Sequence, residues 1–133
     1  MPTLGGMKLR RTPADPIAVA LEGVGLPAEV ARKLAAAGTP IPVQPGIELC
    51  REGDFGREAF LLVSGEAVVL APEVVRTVAA GEVFGELAAL NPARRRNATV
   101  EITEPSIVLA FDVRTFRHLA DEIADVLAPE RAA

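Results

Sequence analysis

GEVFGELAALNPARRRNATV, residues 81 to 100, joins a glycine turn, an isolated carboxylate, a short apolar run and three consecutive arginines. Gly85 lets the backbone approach a ligand closely, and Glu86-Leu87-Ala88-Ala89-Leu90 has the propensity for one short helix. The first N–H groups of such a helix have no intrahelical partners and point into the turn before it. A phosphate fits that position, so the segment reads as an anion site.

On either side of it the chain reads as short strands. Pro40, Pro42 and Pro45 rule out helix and set an extended approach into Gly46. Ile47 and Leu49 alternate with Glu48 and Cys50, and Gly53-Asp54 and Gly56 mark turns. Phe60-Leu61-Leu62-Val63, Ser64-Gly65 and Ala67-Val68-Val69-Leu70 carry a hairpin signature, and Ala71-Pro72-Glu73 turns the chain again into Val74 to Val78. Beyond the arginines, Val100 and Ile102 share one face, and Glu104-Pro105 turns into a strand with Ile107, Leu109 and Phe111 on a common face. Several short strands at close spacing predict a sandwich or barrel.

Helices flank this region. Asp15-Pro16 is an N-cap followed by proline at the first helical position; Leu26-Pro27 opens a second run in which Val30, Leu34 and Ala37 share a face before Gly38. Gly23-Val24-Gly25-Leu26-Pro27-Ala28 between them matches the dinucleotide pattern G-x-G-x-x-A, with Glu48 near the ribose-carboxylate spacing. Pro27 inside the turn, Asp15-Pro16 upstream and the lack of strand–helix alternation after residue 45 favour a plain helix–turn–helix linker. Asp112 caps a closing helix with Phe116, Leu119, Ala120, Ile123, Val126 and Leu127 as its apolar stripe, ended by Ala128-Pro129. That stripe packs on the β core, and its last turn is where a moving lid would start. The organisation is a loose arm 1–14, a helical segment 15–38, a β unit 39–112 and a C-terminal helix 113–133, one domain overall.

Bulk properties narrow the function. The 133 residues suffice for one core. A net charge of −4 argues against a nucleic-acid-binding surface, and with no Trp or Tyr any base stacking rests on five Phe. Cys50 alone makes no internal disulfide, the start MPTLGGMKLRR lacks a signal-peptide core, and no apolar stretch approaches the ~18 residues of a membrane span, so a cytoplasmic location is expected. His118 is the one histidine, no metal-ligand spacing occurs, and no G-x-S-x-G elbow is present. The residues supply binding rather than catalysis, with no cofactor expected.

An acidic side chain beside a phosphate nest is unfavourable unless it reaches past the phosphate to hydroxyls, as on a sugar phosphate. Glu86 and an arginine meet that description; equally, Glu86 and one of Arg94, Arg95 or Arg96 could pair across a surface loop. Spacing alone leaves both open.

The order Pro45-Gly46-Ile47-Glu48-Leu49, Glu52-Gly53-Asp54, Phe60-Leu61-Leu62-Val63-Ser64-Gly65, Phe84-Gly85-Glu86-Leu87-Ala88 and Arg96-Asn97-Ala98-Thr99-Val100 resembles the cyclic nucleotide-binding domain of the catabolite activator protein, protein kinase A regulatory subunits and cyclic-nucleotide-gated channels. The resemblance covers residues 40 to about 127. It implies a mainly β fold, an antiparallel jelly-roll with N-terminal helices, a short phosphate-binding helix and a C-terminal helix. It also implies a phosphate-binding cassette at 84–100 in which Glu86 binds the ribose 2′-hydroxyl and Arg96 the cyclic phosphate. Backbone N–H groups around Gly85, Leu87 and Ala98 assist, and Phe84, Ala88, Asn97 and Thr99 complete the binding set. Arg94 and Arg95 fall outside the motif and are expected on the surface.

The implied protein is a non-catalytic cyclic-nucleotide sensor that signals through its C-terminal helix to an effector, as a monomer or weak homodimer. Asn97 stands where the family usually has Ala, Ser or Thr, a place linked to the choice of base; cAMP is favoured over cGMP as the commoner bacterial-type ligand. With about twenty residues after the last strand, no DNA-binding, kinase or channel segment is expected in this chain. The alternative is a nucleotide-free jelly-roll interaction module of the same fold.

Overall fold

The computed structural model describes residues 15–86, 91 and 94–120. The expected arm 1–14, residues 87–90 of the short helix expected at 86–90, and the end of the closing stripe at Ile123, Val126 and Leu127 lie outside the described residues.

Two helices lead. Helix α1 (Pro16–Gly23) starts where Asp15 accepts a hydrogen bond from the Ile17 N–H (2.8 Å), with Pro16 in the first turn where its missing N–H costs nothing. Helix α2 (Ala28–Ala37) follows the turn at 24–27 and stops at Gly38. No strand precedes the glycine pair among the described residues, so the dinucleotide pattern is a helix–turn–helix linker.

The strands are β1 (Thr39–Val43), β2 (Glu48–Cys50), β3 (Glu58–Ser64), β4 (Ala67–Ala71), β5 (Val74–Val78), β6 (Val83–Phe84), β7 (Thr99–Ile102) and β8 (Ser106–Asp112). They form two antiparallel four-stranded sheets, ordered β1-β8-β3-β6 and β2-β7-β4-β5. This is the jelly-roll expected. Helix α3 (Val113–Ala120) closes the described chain, with the Thr115 N–H donating to Asp112 (2.7 Å). That backbone bond, then a side-chain bond from Thr115 and the charge of Arg114, hold the Asp112 carboxyl below its usual range.

Side-chain alternation divides the interior into two cores. Between the sheets lie Phe60, Leu62, Val69, Phe84, Ala98, Val100, Ile102, Val108 and Ala110. On the outer face of the first sheet, Leu61, Val63, Leu109 and Phe111 pack against Ala18 and Leu21 of α1, Ala31 and Leu34 of α2, and Phe116 and Leu119 of α3. Strands β3 and β8 are therefore buried on both faces, which explains their near-continuous apolar runs. Val100 and Ile102 point inward as expected. In β8, Leu109 and Phe111 share a buried face, while Ile107 at its start is exposed. At β2 a register shift between Glu48 and Cys50 turns Cys50 inward and leaves Ile47 exposed.

One expectation is corrected. The Ser64-Gly65 turn does not make a hairpin: β3 pairs with β8 and β6, whereas β4 pairs with β5 and β7 in the other sheet. The local pattern of two apolar runs around a glycine fits a hairpin and a sheet-to-sheet corner equally. The corner wins because β3 is covered on both faces and its two ladder edges are filled by other strands. The turn is fastened instead to the 103–106 corner. Glu66 N–H donates to Ser106 Oγ (3.1 Å), Thr103 N–H to Glu66 O (2.9 Å), and Ser106 O–H to Glu104 O (2.6 Å). The true two-residue hairpin is Pro72-Glu73, between β4 and β5.

Ser106 is buried, so Ser106→Ala is expected to lower stability in urea unfolding by about 1 kcal/mol by removing the acceptor for the Glu66 N–H. An unchanged midpoint would mean that the corner does not depend on that bond.

Candidate anion-binding site

Arg96 is only 8% exposed, although it follows two exposed arginines. Its backbone fixes it first. The Arg96 N–H donates to Asp54 O (2.6 Å), and the Gly53 N–H donates back to Arg96 O (2.9 Å), pinning the 51–56 loop to the segment before β7. Two neighbours reinforce the seam: Phe55 and Arg95 form an antiparallel bridge, and the Glu52 N–H donates to Thr99 Oγ1 (3.1 Å).

The side chain then runs into a slot. Nη1 donates to Gly85 O (2.9 Å) and Nη2 to Glu58 O (3.0 Å). The guanidinium carbon lies 6.0 Å from the centre of the Phe60 ring, which itself stacks on Phe84 at 5.4 Å. Glycines make the walls. A Cβ added at Gly56 would overlap the guanidinium carbon and Nε, and one at Gly85 would press on Nη1. Gly85 also has φ +79°, a conformation that side-chain-bearing residues rarely adopt. Of the five N–H donors of a guanidinium, the two carbonyl bonds use two, so the group is oriented while keeping donors for an anion.

Glu86, at 8% exposure, places a carboxylate in the same neighbourhood. Cys50 reports on the grouping. Its Sγ would lie 3.3 Å from a Cβ at Gly85, and burial is the main reason that its thiol is pushed from 9.0 up to about 11. The charge of Arg96 pulls the value down, and Glu86 and Glu58 push it up, so all three charges are felt at one buried sulfur.

The residues singled out in the sequence divide as follows. Gly85, Glu86 and Arg96 come together. Phe84 has its side chain in the inter-sheet core, where it seats Gly85; Ala98 is buried in that same core. Thr99 uses its hydroxyl to hold the 51–54 turn. Asn97 is exposed, and Leu87 and Ala88 lie outside the described residues. Arg94 and Arg95 are exposed, as expected. The sequence reading missed Gly56, the Glu58 carbonyl and Cys50. The available signal is the second glycine of Gly53-Asp54-Phe55-Gly56, which by itself reads only as a turn mark. Among the described residues no group of three His, Cys, Asp or Glu side chains could hold a metal ion, and no helix is long and apolar enough to cross a membrane.

A jelly-roll that buries an arginine between two glycine walls beside a buried carboxylate defines a class. Residues 40–122 match the family described as the cyclic nucleotide-binding domain, and the chain belongs to it. Among its relatives, the Pycsar effector protein PaPycTIR of Pseudomonas aeruginosa is 35% identical over 99 residues, which are 74% of this chain and 32% of that protein. The cAMP-dependent protein kinase regulatory subunit of Schizosaccharomyces pombe is 35% identical over 98 residues, 72% of this chain and 24% of that protein. A solved structure described as Sp-2Cl-cAMPS bound to PKAR CBD2 superposes with a TM-score of 0.67 at 28% identity, covering 83% of this chain and 74% of the other. The chain thus spans about a quarter to a third of the length of the two curated relatives.

The raised Cys50 value gives a signed pH effect. Below about pH 9 the thiol is protonated in folded and unfolded chains alike, and contributes no pH dependence. Between 9.0 and about 11 the unfolded chain has lost the proton that the folded chain keeps, so stability falls as pH rises. The slope reaches at most about 1.4 kcal/mol per pH unit for one proton. In urea titrations across that window, wild type should lose stability relative to Cys50→Ala. Parallel curves would contradict this environment for the thiol.

Proposed function

We propose that this domain is a cAMP sensor without catalysis of its own, in which Arg96 binds the cyclic phosphate and Glu86 accepts a hydrogen bond from the ribose 2′-hydroxyl. The observation that carries the proposal is the Arg96 guanidinium held between Gly56 and Gly85 by the carbonyls of Gly85 and Glu58. A planar donor group so fixed suits a phosphate, with two of its hydrogen bonds already spent on aiming it. Buried Glu86 disfavours a second negative charge and favours hydroxyl donors, and so selects a sugar phosphate over inorganic phosphate. In this reading the backbone N–H groups around Gly85 and Ala98 complete the phosphate shell, flanked by Phe84, Asn97 and Thr99. The preference for cAMP over cGMP draws support from the regulatory subunit named cAMP-dependent and from the Sp-2Cl-cAMPS complex.

Output runs through the C-terminal helix. Helix α3 starts directly after β8, a strand central to the first sheet, and Phe116 and Leu119 seat it on that sheet. Ligand binding acts as a switch only if it favours one position of this helix over another. The effector it addresses is a protein or a further domain.

A second reading shares one observation. An arginine already bonded to two carbonyls can serve as a structural strut, and the domain would then be a ligand-free interaction module of the same fold.

Isothermal titration with cAMP and cGMP separates the two. Binding of cAMP tighter than cGMP is expected. Arg96→Ala should weaken it by roughly a hundredfold or more, the loss of one partner in a buried charged contact at about 2 to 5 kcal/mol. Arg94→Ala should change it little. No heat at millimolar nucleotide would leave only the interaction module, and equal effects of the two substitutions would place the phosphate elsewhere.

A further inference from the structure

We infer that a groove along the start of helix α3 is the docking site for an acidic segment of a partner protein. For its purpose the inference rests on the reading that output runs through this helix; for its chemistry it rests on the groove alone.

The helix has two faces. Phe116 and Leu119 are buried and seat it on the first sheet, while Arg114, Arg117 and His118, at helical spacing, are exposed together on another side. Arg57 joins them from a different element. Glu58 of β3 pairs with Asp112 of β8, so Arg57, just before β3, and Val113, just after β8, leave the first sheet at the same end. Val113 is the common wall of two cavities. One, of about 430 Å³, is also lined by Phe55, Gly56 and Arg57; the other, of about 450 Å³, by Arg114, Arg117 and His118. Meeting at Val113, they form one groove from the 51–56 loop onto α3.

The charge of this groove is of one sign, although the chain carries −4 overall. Among the described residues no carboxylate lines either cavity, and Arg57, Arg114 and His118 form no salt bridge. Of the two carboxylates paired beside it, Asp112 accepts the Thr115 N–H (2.7 Å), and Glu58 is exposed. A concave wall carrying three arginines focuses its field and draws an anionic partner.

An apolar hold accompanies the charge. Phe55 is 58% exposed, and its ring is fixed by the Arg95 guanidinium, whose carbon lies 4.4 Å from the centroid and whose Nη1 donates to Gly53 O (2.8 Å). Aromatic and arginine side chains are the types that carry most of the energy at protein interfaces. A concave groove suits an inserted chain segment better than a flat lipid surface, and the negative net charge disfavours nucleic acid. The chemistry that fits is Asp or Glu beside an apolar residue.

A displayed library of random peptides, selected on the whole chain, tests this. Selected peptides should be enriched in Asp and Glu, and a synthetic copy of the commonest should bind more weakly as salt rises. The double variant Arg57→Glu/Arg114→Glu, folded by circular dichroism and still binding cAMP, should bind that peptide at least about tenfold more weakly, since like charges then face each other. Arg57→Lys/Arg114→Lys should keep most of the affinity. Composition and salt dependence are read on wild type, so they decide the matter even if the charge-reversed variant does not fold. Selected peptides without acidic enrichment, or equal binding by the folded charge-reversed variant, would overturn the docking site even with cAMP binding intact. Wild-type binding to phosphatidylserine vesicles in place of any peptide would overturn it too. Peptide affinity unchanged by saturating cAMP would leave the groove standing and overturn the output reading.

Discussion

The guanidinium of Arg96 depends on two carbonyls, Gly85 O at 2.9 Å and Glu58 O at 3.0 Å, and on the space left by two missing side chains at Gly56 and Gly85. Burying a cation is costly, by several kcal/mol if it is left uncompensated. The fold meets that cost with oriented dipoles. Gly85 follows the short strand β6, Glu58 opens the central strand β3, and Arg96 precedes β7 in the other sheet. The slot therefore exists only when the two sheets face each other correctly. The same geometry ties the 51–56 loop to residues 95–99 through four hydrogen bonds, those of Arg96 N–H, Gly53 N–H, Glu52 N–H and Arg95 Nη1.

Much of the architecture was legible because it is written in local chemistry. Asp15-Pro16 states a helix start, Pro72-Glu73 a tight hairpin, and Val100 with Ile102 an inward face, each through a rule that involves only near neighbours. The sheet-to-sheet corner at Ser64-Gly65 was misread for the complementary reason. Whether β4 returns beside β3 is decided by Ser106 and Thr103, some forty residues away, and by strands that already flank β3. Long-range pairing leaves little local signature.

For the site, periodicity alone did not separate Arg96 from its two neighbours; family resemblance did. The structure supplies the physical distinction, since Arg94 and Arg95 are exposed while Arg96 enters the slot. What stayed hidden was everything that acts through the backbone or through absence of a side chain. The carbonyl of Glu58 has no residue type to announce it, and Gly56 looks like any turn glycine until Arg96 is found against it. Cys50 looked like a strand residue of no consequence, and the register shift at β2 brought its sulfur beneath the site. Membership of the cyclic nucleotide-binding family then gives this slot its meaning.

In the proposed function, the glycine-walled slot aims Arg96 at the phosphate. Gly56→Ala exposes the dependence, because the three atoms nearest the added methyl all belong to the Arg96 guanidinium. Calorimetric titration of Gly56→Ala with cAMP, beside a thermal melt, is the decisive measurement. The account predicts a folded protein with cAMP affinity reduced at least about tenfold, the worth of one hydrogen bond to a charged group. A folded Gly56→Ala protein that binds cAMP as tightly as wild type would contradict it.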